Sequence, residues 1–173
     1  MKKLLNISDL NKKDIFTIFD NADSLSKDIL LKPLSNKSIG LIFEKYSTRT
    51  RLSFQVGILK LGGNTIDIKF EDLNMQRIES FEDTFKILSL YLDGLVFRTD
   101  DHKKLINAQN YFDKPIINGL SNISHPCQII SDIYTLKNIF KDFENLKICW
   151  FGDMNNVLFS YCEFLQIFTN IKL

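Results

Sequence analysis

Short apolar runs alternate along this chain with longer segments in which apolar residues recur every three or four positions. The short runs predict buried β-strands, an alternation of apolar and polar residues at 64–68 predicts a further strand, and the longer segments predict amphipathic helices. The predicted strands are 38–43, 64–68, 94–97, 115–118 and 147–151. The predicted helices are 8–25, 48–61, 80–91, 101–110, 126–140 and 156–168.

The regular alternation of strands with helices predicts the α/β fold class, with a parallel sheet that carries helices on both faces. Residues 1–140 are predicted to form one domain around this sheet. Residues 141–173 contain a single strand and helix, which resemble the start of a second, truncated α/β domain. Because one strand cannot form a sheet, we expect the large apolar side chains of this segment to be exposed and to favour aggregation or a partner. These side chains are Ile148, Trp150, Phe151, Phe159, Phe164 and Phe168.

The composition is that of a globular protein, with 45% apolar and 25% charged residues and a formal net charge of +1. This charge gives no field that would attract nucleic acid or a membrane surface, and no apolar run approaches the length of a membrane span. The three cysteines lack zinc or redox spacing, and the N-terminus lacks a signal-peptide core. We therefore expect a reduced, cytoplasmic setting, no metal and no cofactor, with Cys149 and Cys162 in the core.

A cluster of hydroxyl and guanidinium groups marks the start of the predicted helix 48–61. The cluster comprises Ser47, Thr48, Arg49, Thr50 and Arg51. A helix N-terminus carries free N–H groups and partial positive charge, so these added donors favour a dianionic phosphate as the ligand. The alternative is an ordinary capped helix with solvated arginines.

Further polar residues follow the ends of other predicted strands. Arg98 ends strand 94–97, and His125 and Gln128 lie one turn apart where helix 126–140 begins. Ligands of open α/β sheets gather at the carboxyl ends of the strands, so these side chains are candidate ligand contacts. The alternatives are a surface arginine and a structural or solvated histidine. The other histidine, His102, has no motif around it and is expected at the surface.

The turn after strand 147–151, Gly152-Asp153-Met154-Asn155-Asn156, offers further donors and acceptors or is a plain capped turn. No nucleophile lies in a recognisable catalytic context with a base. A set of charge and hydrogen-bond donors suits electrostatic stabilisation of a group in transfer.

Four separated motifs together give the chain a specific resemblance. They are Phe43-Glu44-Lys45-Tyr46-Ser47-Thr48-Arg49-Thr50-Arg51, Phe97-Arg98, His125-Pro126-Cys127-Gln128 and Gly152-Asp153-Met154-Asn155-Asn156-Val157. With them the chain resembles the aspartate/ornithine carbamoyltransferase family, and within it the ornithine branch. The resemblance covers essentially the whole chain but only the N-terminal half of the family's protein.

The resemblance implies transfer of a carbamoyl group from carbamoyl phosphate to the side-chain amine of L-ornithine, giving L-citrulline and phosphate in arginine biosynthesis or, in reverse, citrulline breakdown. Arg98, His125 and Thr50 would polarise the carbonyl oxygen, Arg49 would offset charge on the leaving phosphate, and Asn156 would contact ornithine. The residues implied in catalysis are Arg49, Arg98 and His125. Those implied in binding carbamoyl phosphate are Ser47, Thr48, Arg49, Thr50, Arg98, His125 and Gln128.

The family forms homotrimers, and by resemblance a loop at about 71–79 would reach into the neighbouring subunit's site. Asn74, Gln55 and the run 76–78 depart from the family's usual residues. The family's second domain carries most ornithine contacts, so we expect this chain alone to bind carbamoyl phosphate with little or no turnover. A separate C-terminal half is a candidate partner. The alternatives are a family member that acts on aspartate or another amine, and a non-catalytic phosphate-binding or oligomerising remnant.

Overall fold

The computed structural model describes residues 3–28, 30–73 and 80–173. The departures at Asn74 and at 76–78, and most of the loop 71–79, lie outside these residues. One sheet contains the parallel strands β1 (Lys3–Leu4), β2 (Ser38–Phe43), β3 (Asn64–Ile68), β4 (Gly94–Arg98) and β5 (Ile116–Leu120). The helices are α1 (Lys12–Lys27), α2 (Thr48–Lys60), α3 (Phe81–Tyr91), α4 (His102–Tyr111), α5 (Pro126–Ile139) and α6 (Asn156–Ile167).

The spatial order of the strands is β1–β5–β4–β2–β3. In-register side chains of neighbouring parallel strands point to the same face of the sheet. Leu41 and Val96 are paired in this way and pack beneath α2, whereas Ile42 and Phe97 pack against α3 and α4 on the opposite face. The predicted α/β class, a parallel sheet flanked by helices, is thus confirmed.

Two differences from prediction lie at the N-terminus. The short strand β1 was not predicted, since its two residues are too few to show a period. It is held by pairing with β5, which a local pattern cannot indicate. Helix α1 begins at Lys12, because the Asn11 side chain accepts the Asp14 N–H at 3.0 Å and caps the helix there. Residues Ile7–Asp9 form a separate 3₁₀ turn.

The predicted strand 147–151 is wrong. Only Lys147 forms a bridge, with Lys172, and the backbone hydrogen bonds there join Ile148 and Leu146 to that same residue. A strand needs a partner along its length, and one bridged residue provides pairing at a single point.

Helix α6 packs into the first domain instead of forming an exposed extension. Phe164 and Phe168 are 1% and 3% exposed, so the expectation that they lie at the surface is wrong. They join a cluster that includes Ile7, Phe19 and Ile133 from the N-terminal segment, α1 and α5. The apolar residues of the segment divide further: Phe151 and Phe159 are exposed as expected, whereas Ile148 and Trp150 are partly buried.

The cysteines are distributed differently from the prediction. Cys149 and Cys162 are exposed, so their expected place in the core is wrong. Cys149 lies near the single bridge of the C-terminal segment, and Cys162 lies on the outer side of α6. No further layer of the described structure covers either residue. Burial raises the pKa of Cys127 to about 12, and its thiol donates to the Asn118 carbonyl at 3.6 Å.

Candidate functional site

The carboxyl ends of β2 and β4 lie side by side near the centre of the sheet. From β2 the chain moves outward to β3, and the following strand, β4, returns to the other side of β2. Such a reversal of strand order leaves a crevice at the carboxyl ends, where ligands of open α/β sheets bind. Of the predicted residues, Arg98 is the last residue of β4, and Ser47 lies in the loop after β2.

Arg98 is joined directly to the start of α2. Its Nη1 donates to Ser47 Oγ at 3.0 Å and to Thr50 Oγ1 at 3.2 Å. Burial lowers the pKa of Arg98 from its ordinary value, against an opposing effect of Asp100. The guanidinium nevertheless stays charged, because its ordinary pKa is far above neutrality. The structure therefore brings a cation and two hydroxyls to one helix N-terminus.

Thr48 and Arg49, two further predicted site residues, are exposed on the first turn of α2. Ser47 is the N-cap residue of this helix. A cavity of about 530 Å³ adjoins Ser47 and Thr48, although Arg98 and His125 do not line it. The free N–H groups of this turn and the exposed guanidinium are accessible to an anion.

His125 occupies the N-cap position of α5 and is half-buried. Its backbone N–H donates to Ser160 Oγ at 2.9 Å. Its ring Nδ1 is buried and has no hydrogen-bond partner among the described residues. Burial and then the positive charge of Arg98 lower the pKa of His125, with Asp132 acting in the opposite direction. These effects favour the neutral form of the imidazole, whose buried Nδ1 keeps an unused hydrogen-bonding capacity.

Two other predicted residues are held by neighbouring groups. Gln128 is exposed, and its Nε2 donates to Asp132 Oδ1 at 2.8 Å, one turn further along α5. Asn156 begins α6, and its Nδ2 donates to the Ser121 carbonyl at 2.6 Å. Neither side chain is hydrogen-bonded to Arg98 or His125 in this structure.

His102 is buried, so the expectation of a surface position is wrong. Its ring Nδ1 lies 2.8 Å from Ser121 Oγ, and its backbone N–H donates to Asn122 Oδ1 at 3.0 Å. Burial lowers the pKa of His102, against opposing effects of Asp9 and Asp101. The residues around His102 in the chain gave no signal of its burial, because its hydrogen-bond partners come from the loop after β5.

A network that the sequence did not reveal anchors the loop between β2 and α2. Glu44 accepts from the Thr99 hydroxyl at 2.5 Å and from Lys104 Nζ at 2.6 Å. Its N–H donates to the Arg98 carbonyl at 3.0 Å. These bonds tie the loop that precedes Ser47 to the end of β4. Glu44 belongs to the first motif, which was the one signal available for its role.

Asn118 organises the loop that leads to His125. It is fully buried, and its Nδ2 donates to the Leu5 and Ser124 carbonyls at 2.9 and 3.2 Å. Its Oδ1 accepts the Leu120 N–H at 2.9 Å. Leu120 has a φ of 155°, a region that costs a residue with a side chain about 1–3 kcal/mol. The buried amide holds the chain in this turn and sets where the loop crosses the strand ends.

We predict that the protein loses stability as the pH falls below 6.5. The pKa values of His102 and His125 are lowered from 6.5, so the folded state keeps both rings neutral while the unfolded chain takes up protons. Their contribution to stability is present above pH 6.5 and is lost as the pH falls through the folded values. The pKa values of Asp23 and Asp93 are lowered from 3.8, so these groups act in a more acidic range.

Urea unfolding between about pH 7.5 and about pH 5.5 measures this loss. The midpoint is expected to fall with pH, and less steeply in His102→Gln. A midpoint that is constant across the range in the unmodified protein would contradict the prediction.

No group of three or more His, Cys, Asp or Glu side chains within 3–28, 30–73 and 80–173 is arranged to hold a metal ion. In the same part of the chain, none of the helices has the length and apolar character needed to cross a membrane.

The fold and the site together define a parallel α/β domain with anion-directed donors at its topological switch point. A family model described as the aspartate/ornithine carbamoyltransferase carbamoyl-P binding domain matches residues 2–138. The chain belongs to the aspartate/ornithine carbamoyltransferase family, which confirms the resemblance drawn from the motifs.

Curated relatives and solved structures agree with this assignment. An ornithine carbamoyltransferase of Methanosphaera stadtmanae is 46% identical over 158 residues, which are 91% of this chain and 52% of the relative. One of Agrobacterium fabrum is 40% identical over 94% of this chain and 54% of its own length. The crystal structure of ornithine carbamoyltransferase from Burkholderia thailandensis superposes with a TM-score of 0.93 at 30% identity, covering 100% of this chain and 61% of that one. The chain thus spans about half the length of the curated relatives it matches.

Proposed function

We propose that the site binds carbamoyl phosphate and that the chain forms the donor half of a carbamoyltransferase that acts on L-ornithine. The observation that carries this proposal is the contact of Arg98 with Ser47 and Thr50 at the N-terminus of α2. It places a fixed positive charge and two hydroxyls beside free backbone N–H groups. The family of the chain and the names of its relatives support carbamoyl phosphate as the anion and ornithine as the acceptor.

In the proposed reaction the phosphate lies on the first turn of α2, where Ser47, Thr48, Arg49 and Thr50 donate to it. Arg98 and His125 face the carbonyl oxygen, and Gln128 turns from Asp132 to the carbamoyl amide. The uncharged δ-amine of ornithine attacks the carbonyl carbon to form a tetrahedral intermediate. The intermediate expels phosphate and loses a proton from nitrogen, giving L-citrulline.

Electrostatic preorganisation supplies the catalytic effect in this scheme. Negative charge develops on the carbonyl oxygen and on the leaving phosphate, where Arg98, His125 and the first turn of α2 would donate hydrogen bonds to it. Removal of one such donor typically costs about 3–4 kcal/mol of transition-state stabilisation. A neutral His125 suits this role, because it can donate a hydrogen bond without adding a second cation beside Arg98.

We further propose the domain division at residue 140, with 141–173 as the start of the ornithine-binding domain. The family model ends at residue 138, which supports this boundary. In this chain α6 nevertheless packs on α5 and α1, so Asn156, proposed to contact ornithine, is placed by the first domain. The cytoplasmic location and the pathway, arginine biosynthesis, stay predictions.

A homotrimer is proposed for the assembly, with a separate C-terminal half as a further candidate partner. Leu52, Val56 and Leu59 are exposed along one side of α2, beside the anion site. An apolar stripe of this kind suits contact with a second copy. Phe151 is also exposed, in the C-terminal segment where further protein would attach.

Isothermal titration of the 173-residue chain with carbamoyl phosphate tests the proposed ligand. We expect saturable binding that inorganic phosphate displaces, and no citrulline when ornithine is added. Absence of binding at millimolar carbamoyl phosphate would overturn the proposal.

A fusion of this chain to the unmatched remainder of the Methanosphaera stadtmanae relative tests the reaction. Citrulline formation by the fusion would exclude a non-catalytic remnant.

A further inference from the structure

The first two turns of α6 contact the loop that carries His125. Ser160 is fully buried, and its Oγ accepts the His125 N–H at 2.9 Å. The same hydroxyl donates to the Asn156 carbonyl at 2.9 Å and lies 3.3 Å from Ser124 Oγ. Asn156 Nδ2 in turn donates to the Ser121 carbonyl at 2.6 Å. Two residues of α6 thus hold both ends of the segment 121–125.

The backbone N–H of His125 is held from outside its own helix. His125 is the N-cap residue of α5, but its side chain makes no capping hydrogen bond. The helix bonds to His125 through its carbonyl, which accepts the Gln128 N–H at 3.2 Å, whereas Ser160 accepts the N–H of His125 itself. A buried donor left without a partner costs about 1–3 kcal/mol, so the segment stays where this bond is made.

We propose that Ser160 is a positioning residue for His125 and links it to Asn156. This inference rests on the proposed function of the site. One turn of α6 then sets both the imidazole that faces the carbonyl group and the amide that faces the amine substrate. A displacement of α6 that moves Asn156 also moves His125, because the Ser160 hydroxyl is bonded to both backbones.

The charged groups around the His125 ring distinguish a positioning role of Ser160 from an electrostatic one. The charged groups that act on the ring are Arg98 from β4 and Asp132 from α5. From α6, the Tyr161 hydroxyl donates to Asp132 Oδ2 at 3.2 Å. Ser160 carries no charge, so its removal alters the ring only by changing the position and burial of His125.

The test compares Ser160→Ala with Ser24→Ala in the full chain. Ser24 is a matched control, since its exposed hydroxyl makes the same bond to the carbonyl four residues earlier, at 2.8 Å, far from the site. NMR follows amide exchange and ring titration of His125, and the ring of His102, the second of two histidines, is followed for comparison. Isothermal titration with carbamoyl phosphate gives the affinity.

In Ser160→Ala we expect faster exchange of the His125 amide and a rise of its ring pKa towards the ordinary value. We also expect carbamoyl phosphate binding weaker by about fivefold, the factor that corresponds to one hydrogen bond. The ring pKa of His102, which lies beside Ser121 at the other end of the segment, should change less than that of His125, and Ser24→Ala should match the unmodified chain. Ser160→Cys, which has nearly the same shape but a weaker acceptor, should show intermediate effects.

A folded Ser160→Ala protein with unchanged His125 signals and unchanged affinity overturns the inference. Unfolding of both Ser160 variants also overturns it, since the role would then be structural alone. If the unmodified chain does not bind carbamoyl phosphate but the His125 amide and ring respond to Ser160→Ala, the proposed function fails while the positioning role stands.

Discussion

Replacement of Arg98 by alanine is expected to weaken carbamoyl phosphate binding by about 10- to 100-fold. A hydrogen bond to a charged group contributes about 1.5–3 kcal/mol, which corresponds to this range. Arg98 is the group that joins the end of β4 to Ser47 and Thr50, so its loss removes the central charge and frees both hydroxyls. Isothermal titration with carbamoyl phosphate measures the change.

Arg51→Ala is the matched control for this prediction. The Arg51 guanidinium lies 5.2 Å from the centre of the Phe43 ring and pairs with Asp67 at 3.5 Å, so its contacts are within the fold. We expect Arg51→Ala to lower stability and to weaken binding much less than Arg98→Ala does, although Arg51 also lines the cavity beside Ser47 and Thr48. Arg49→Ala should do the reverse, because Arg49 is exposed on the first turn of α2. Equal binding by the Arg98 and Arg51 variants would show that the site is misassigned.

Replacement of Phe164 by alanine is expected to lower the free energy of unfolding by about 3–5 kcal/mol. Phe164 is almost completely buried and stacks on Phe168 with ring centres 4.5 Å apart. Its cluster includes residues of α1 and α5, so the cavity would open within the core of the first domain. Urea unfolding, followed by circular dichroism, measures the change.

Phe159→Ala provides the comparison on the same helix. Phe159 is 42% exposed, so its truncation removes much less buried surface and should cost clearly less. If α6 were a loose extension, as the sequence suggested, neither substitution would change the unfolding midpoint of the sheet. Equal midpoints for the two variants and the unmodified chain would therefore refute the packing of α6 on the first domain.

The sequence predicted most of the sheet, because its signal is local. Strands β2 and β3 appear with their observed bounds, since β2 is a short apolar run, as expected of a buried parallel strand, and β3 at the edge of the sheet alternates between polar and apolar residues. It also anticipated that Ser47 and Arg98 would approach each other. Parallel strands place their carboxyl ends at one edge, so polar residues that follow such strands converge whatever their separation in the chain.

The spatial order of the strands could not be predicted from these local patterns. Alternating strands and helices are compatible with several orders, and the observed one, β1–β5–β4–β2–β3, depends on which surfaces bury one another. The link from Ser160 to His125 spans 35 residues and has no pattern in the chain. A serine in a helix usually bonds to its own preceding turn, so nothing marked this one as a partner of a loop.

The amino-acid sequence by itself determined most of the periodic elements, the family and the group of donors that start α2, since each depends on residues close together in the chain or on short motifs made of such residues. Only the tertiary structure decided that 147–151 is not a strand, that His102 is buried and that α6 closes the first domain. The reason is that a strand needs a neighbouring strand, a buried polar group needs a hydrogen-bond partner and an apolar face needs a surface that covers it. These complements come from distant parts of the chain, and they are selected together when the molecule folds.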